Sequence, residues 1–128
     1  MIGNMKNVPL RRFKEFENDD EWEEHKLEDL CSIITKQTGF DYSATIKPSL
    51  KVEFSDSTYP FIQNKDFSGQ NINFNTDFFI PKDVAEKFPN ILIDRPSILI
   101  SISGKIGNVG FYRDNNKAFI GGAVGICK

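Results

Sequence analysis

The sequence predicts an α+β fold, a single mixed domain dominated by a twisted β-sheet with a few short helices. Alternation of apolar and polar residues recurs in short runs, most clearly from Ser97 to Ser103, while helical spacing appears only briefly. Twelve Phe and an apolar fraction of 39% in 128 residues supply core material for one domain, and the length is too small for two. Polar turn clusters at 55–58 and 113–117 separate the runs.

Taken in order, residues 1–20 are polar and charged without sustained periodicity, and are expected as a loosely packed leader to a domain over 21–128. Leu27, Leu30, Ile33 and Ile34 recur at helical spacing, which predicts a short helix over Leu27–Leu30 feeding an extended Ser32–Thr35 segment. Lys36, Gln37, Thr38 and Gly39 break that pattern. Residues 41–58, interrupted by Pro48, predict a surface loop or weak hairpin. Tyr59 to Ile62 reads as a strand, with Pro60 placing it at an edge or at a strand start. Asn71 to Phe74 alternates like a half-buried strand.

Ile80-Pro81 opens a short helix that carries Val84 and Phe88 on one face, and Pro89 stops it. In Ser97 to Ser103, Ile98, Ile100 and Ile102 point one way, and the serines and Leu99 the other. Asn108–Tyr112 and Ala118–Ile126 read as two strands joined by the polar turn 113–117. The apolar run ends at the last two residues, Cys127 and Lys128, so the domain is expected to lack its C-terminal end and to leave an exposed, aggregation-prone strand.

Charge is unevenly placed. The net charge is −2, but residues 1–30 hold nine acids and five bases, leaving a body with eleven bases and nine acids. That balance permits nucleic-acid contact without requiring it. No apolar run is long enough to span a bilayer, which predicts no membrane association, and no secretion signal stands at the start. Cys31 and Cys127 lack CxxC spacing and are expected to be two free thiols of a cytoplasmic protein.

The motif chemistry is negative. Gly104, Gly107 and Gly110 do not form a dinucleotide fingerprint, and Gly104-Lys105-Ile106-Gly107 is expected as a tight turn between strands. His25, the single histidine, has no nucleophile or ligand set at a recognisable spacing. The residues therefore predict no catalytic site, no metal and no cofactor.

Several ordered blocks carry a resemblance. Trp22-Glu23-Glu24-His25-Lys26-Leu27-Glu28-Asp29-Leu30 resembles the W-x-x-x-K/R-L-x-D-L opening of recognition domains in type I restriction-modification specificity subunits. Pro9 to Phe13 resembles their leader, and Tyr59 to Asp66 is similar to their aromatic strand followed by Asp. Phe79-Ile80-Pro81 matches their stretch before a short helix. Ser97 to Gly107 resembles their s-v-L-i-s-x-x-G-x-I-G block. The resemblance implies a non-enzymatic subunit that reads one half of a bipartite site in double-stranded DNA. It implies as partners the methyltransferase (modification) subunits and, through them, the restriction subunits, acting in DNA methylation and defence against foreign DNA. S-adenosylmethionine, ATP and Mg would then belong to those partners. The second recognition domain and the spacer helices of that family have no counterpart in this sequence.

Base reading needs paired donors and acceptors, which Asn, Gln, Arg and Lys supply. On loops or strand ends, the candidates are Lys36, Gln37 and Thr38, then Gln63, Asn64 and Lys65, then Lys105 and Asn108. Two other readings stay open. One is a generic single-stranded nucleic-acid binder that stacks bases on Phe and Tyr, although Phe74 and Phe88 look like core. The other is a silent recognition cassette or non-functional fragment.

Overall fold

The computed structural model describes residues 8–128, and the part of the leader before residue 8 lies outside the described residues. The chain divides into two compact units at Leu30/Cys31. In the first unit, a 3₁₀ turn at Lys14–Phe16 is followed by helix α1 at Leu27–Leu30, where the sequence places it. The Arg12 guanidinium donates to the carbonyls of Phe16, Asp19 and Asp20, gathering this segment around one cation.

The second unit holds two four-stranded sheets. One contains β1 (Ile34–Lys36), β7 (Ser97–Ser101), β8 (Val109–Tyr112) and β10 (Val124–Cys127) in the order β1-β10-β7-β8, antiparallel throughout. The other contains β2 (Thr58–Ile62), β5 (Phe78–Pro81), β6 (Leu92–Ile93) and β9 (Ala118–Ile120) in the order β5-β2-β9-β6, with β2 and β9 parallel. A hairpin of β3 (Phe67–Ser68) and β4 (Asn71–Ile72) lies along β8, where Phe111 N–H donates to the Gln70 carbonyl at 2.9 Å. Leu99, Tyr112, Val124 and Ile126 from one sheet share a single core with Phe61, Ile80, Ile93 and Phe119 from the other. Phe61 and Phe119 stack there at 6.4 Å between centroids. An α+β domain rich in short strands is what the sequence predicts.

Several local expectations change. Residues 39–49 are helical, not loop or hairpin, and form α2 with a π-turn over Tyr42–Ile46. Thr38 caps it by accepting the Asp41 N–H at 3.0 Å. Tyr42, Ile46 and Leu50, four residues apart, bear on the core. Pro48 stands in the last turn, directly after the π-turn, and the helix ends at Ser49 one residue later. The helix expected after Ile80 is α3 (Lys82–Ala85), with Phe88 in the turns beyond it and packed on the core. Phe74, by contrast, is 41% exposed, edge-on to Tyr112.

Pro60 belongs to an interior strand. Its partner Phe79 exchanges both of its backbone bonds with Lys51, and pairing with β9 starts only at Phe61, so no ladder bond needs a Pro60 N–H. On β7 the serine face is the inner one: Ser97, Leu99 and Ser101 are buried, while Ile98 and Ile100 are half-exposed. Hydrogen bonds make that face tolerable, with the Ser97 hydroxyl donating to Arg95 and the Ser101 hydroxyl accepting from Asn108 N–H.

The run from Ala118 to Ile126 is two strands in different sheets, with residues 121–123 crossing between them. Gly121 makes that crossing possible, because a Cβ there would lie 3.0 Å from the Ile62 carbonyl oxygen. The last strand is not an exposed edge: β10 pairs with β1 on one side and β7 on the other. The expected free thiols are also corrected, since Cys31 and Cys127 form a disulfide across 96 residues of sequence. Spacing rules see only local cysteine patterns, whereas this pair is brought together by the β1–β10 ladder.

Candidate nucleic-acid interface

Register gathers the strand ends. The pairs Lys36↔Gly125, Ser101↔Val124 and Ile100↔Val109 put the end of β1, the end of β7 and the starts of β8 and β10 at one end of the antiparallel sheet. The parallel pair Ile62↔Ile120 brings the ends of β2 and β9 together, sealed by Gly121 N–H donating to the Ile62 carbonyl at 2.7 Å. Because 121–123 lead from β9 directly into β10, these are one end of the domain. The loops after β1, β2 and β7 therefore neighbour one another, and they hold all three groups of sequence-derived candidates.

Side-chain bonds tie these loops together. Gln37 donates from Nε2 to the Ile120 carbonyl, and Asn64 donates from Nδ2 to the Ser103 carbonyl. Ile102 N–H donates to the Ala123 carbonyl at 2.9 Å. The turn after β2 is closed by a reciprocal cap, in which Asp66 accepts the Gln63 N–H at 2.7 Å and the Gln63 side chain accepts from the Asp66 N–H. Burial raises the Asp66 pKa, opposed by the Gln63 N–H and by the charge of Lys65.

The candidates are thus placed in different roles. Gln37 is only 5% exposed, and its amide is turned into the protein, so it supports the loops from inside. Thr38 is spent on capping α2, and Asn64 on the β7–β8 loop. Lys65 lies 2.5 Å from Asp77, a hydrogen bond that raises its pKa and compensates its charge. Lys36 and Lys105 are exposed and make no ion pair among the described residues. Asn108 is half-buried; its N–H is held by Ser101 and its amide side chain makes no hydrogen bond among the described residues.

One residue at this end was read in the sequence only as part of a turn. Ile106 is 74% exposed at the tip of the β7–β8 connection, between Gly104 at φ +72° and Gly107 at φ +91°. Those two backbones favour glycine, but the connection is a seven-residue loop over 102–108, bent at 103–105 and turned at 106–107, longer than the tight turn expected of Gly104-Lys105-Ile106-Gly107. The signal for its tip was an isoleucine enclosed in turn residues, beyond any strand that could bury it.

Among the described residues, no group of three or more His, Cys, Asp and Glu is arranged to hold a metal ion. No helix among the described residues is long and apolar enough to cross a membrane. Across known proteins, a family model described as the type I restriction modification DNA specificity domain matches residues 19–124. No curated protein matches the chain.

Proposed function

The chain belongs to the family of type I restriction modification DNA specificity domains, and from that premise we propose that it reads one half of a bipartite site in double-stranded DNA. In this reading it catalyses nothing. It directs methyltransferase subunits, and restriction subunits through them, in the cytoplasm, while S-adenosylmethionine, ATP and Mg belong to those partners. The observation that carries the reading is the convergence of the loops after β1, β2 and β7 at one end of a rigid body. Such an end can be pressed into a groove as a unit.

Contacts in that reading divide by what each side chain has free. Lys36 and Lys105 supply charge to phosphate or guanine, and Asn108 offers an amide edge to a base. Gln63 and Lys65 stand beside them, already committed in part to Asp66 and Asp77. Gln37, Thr38 and Asn64 hold the surface in shape.

The test is a graft. With residues 1–128 replacing a recognition domain in a full-length specificity subunit, the methylated sequence should change in one half-site; an unchanged methylome refutes the reading. A competition assay separates the single-strand alternative, with duplex DNA expected to outcompete single strands.

A further inference from the structure

We propose that the cleft between the β1–α2 turn and the α3–β6 loop seats one backbone phosphate of duplex DNA, held by Lys36 and Lys87, an assignment that rests on the DNA reading above. The pairs Leu92↔Phe119 and Ile93↔Ala118 are antiparallel, so β6 begins where β9 ends. Residues 87–91 therefore join the converging loops at the same end of the domain. There they face the β1–α2 turn across a cleft of about 250 Å³. Both walls are tied down. Lys87 N–H donates to the Val84 carbonyl at 3.1 Å and Ile91 N–H to the Phe88 carbonyl at 3.2 Å, while the Gln37 amide fastens the opposite wall to the Ile120 carbonyl.

The lining is rich in donors. Lys36 and Lys87 are exposed, and neither makes an ion pair among the described residues. Glu86, next to Lys87 in sequence, accepts instead from the Tyr59 hydroxyl at 3.2 Å. Thr38 Oγ1 accepts the Asp41 N–H and keeps its own hydrogen for another acceptor. Asn90 is exposed in the same lining, and its amide makes no hydrogen bond among the described residues. Asp41, the acid of the lining, pairs with neither lysine, so two cations face one carboxylate. Two ammonium groups on one cleft favour a full negative charge over the partial charges of a guanine edge, which assigns Lys36 to phosphate. Duplex DNA presents that charge at every step, and phosphate contacts set a protein's register without carrying sequence. Both lysines lie outside the blocks that carry the family resemblance, and a phosphate contact is indifferent to which bases are read beside it.

The experiment uses the graft with the full chain intact, purified with its methyltransferase subunits, on duplexes carrying the new recognition sequence. Each phosphate along the site is replaced singly by an uncharged methylphosphonate, which removes one charge and leaves every base in place. The parent should bind several-fold more weakly when one particular linkage is neutral. Lys36→Gln and Lys87→Gln should each blunt the effect at that same linkage, and the double variant should be indifferent to it. The double variant should also lower the slope of log affinity against log salt by about one, and weaken recognition-sequence and unrelated duplexes by the same factor. Lys87→Arg should keep the sensitivity, because it keeps the charge. Thermal unfolding of the variants should match the parent, since both side chains are exposed; a large loss of stability would overturn the proposal. Full sensitivity of the double variant at every linkage would overturn it, as would single variants that silence two different linkages. A loss confined to the recognition sequence would overturn it by showing a base contact. Inorganic phosphate and chloride at matched ionic strength should displace the duplex equally; excess displacement by phosphate that vanishes in the double variant would show a site for free anions and overturn the DNA assignment. An unchanged methylome removes the DNA reading and this assignment together. A redirected methylome with the double variant binding like the parent removes this assignment alone.

Discussion

Reduction of the Cys31–Cys127 disulfide should lower stability without unfolding the protein. The bond spans 96 residues of sequence, and a loop of that order is worth about 4.7 kcal/mol in chain entropy at 25 °C, with measured disulfides nearer 2–4 kcal/mol. The native ladder survives reduction: Ile34, Thr35 and Lys36 still face Cys127, Ile126 and Gly125. Ile33 and Lys128 also exchange backbone bonds of 2.8 Å in both directions. Reduced protein should therefore stay folded, with a melting temperature lower by about 10–20 °C. Paired urea titrations with and without dithiothreitol measure the difference, and intact mass after alkylation counts the thiols. A Cys31→Ala variant should behave like reduced protein, since Cys127 is the buried partner. Coincident titrations would refute the argument. So would alkylation of either cysteine in native, unreduced protein, or complete unfolding on reduction. The same logic bears on location, because a reducing cytoplasm holds such a pair as thiols, and the pairing of β10 with both β1 and β7 then holds the last strand in place.

Four further outcomes are expected. Lys128→Met should cost about 2–4 kcal/mol in urea unfolding, since an ammonium whose side chain is 1% exposed donates to the Pro89 and Leu92 carbonyls and to Asp94. For Asp94, burial raises the pKa, but hydrogen bonds from Lys128 and Arg95 outweigh it and leave it lowered; its stabilisation should be complete above about pH 4 and be lost as pH falls through the lowered value, an acid slope that Lys128→Met diminishes. Gly107→Ala, forcing a side chain onto φ +91°, should cost on the order of 1 kcal/mol in thermal unfolding, read against the parent chain. Lys105→Gln should reduce the slope of log affinity against log salt by about one in duplex binding, with fold stability unchanged.

Much of the fold was legible because strands announce themselves locally. The alternation in Ser97–Ser103 and the Ile80-Pro81 helix start depend only on neighbours in sequence. The errors have a common cause, which is that burial is decided by distant partners. Ile98 and Ile100 outweigh Ser97 and Ser101 in hydropathy, yet the serine face is covered, and Arg95 and Asn108 satisfy its hydroxyls. Residues 118–126 look like one strand because apolar content does not record that Gly121 lets the chain cross between sheets. Pro48 concealed the helical spacing of Tyr42, Ile46 and Leu50, because a proline reads as a breaker even where, as here, it falls in the helix's last turn.

The candidate site shows the same division in sharper form. Polar clusters after strands identified the loops that converge, because such residues cannot be buried in a strand. What those clusters could not reveal was direction. The paired donor and acceptor that let an amide read adenine also let it tie two loops together. Gln37 and Asn64 are used in the second way, each giving its N–H to a backbone carbonyl across the site. Their remaining amide oxygens are buried without a partner among the described residues, so turning either side chain outward would break the bond that positions its neighbour. On the proposed reading, contacts to DNA at this end would fall to side chains that hold nothing in place. Lys36, Lys105 and Asn108 meet that condition, being exposed or half-buried with side chains that make no bond among the described residues.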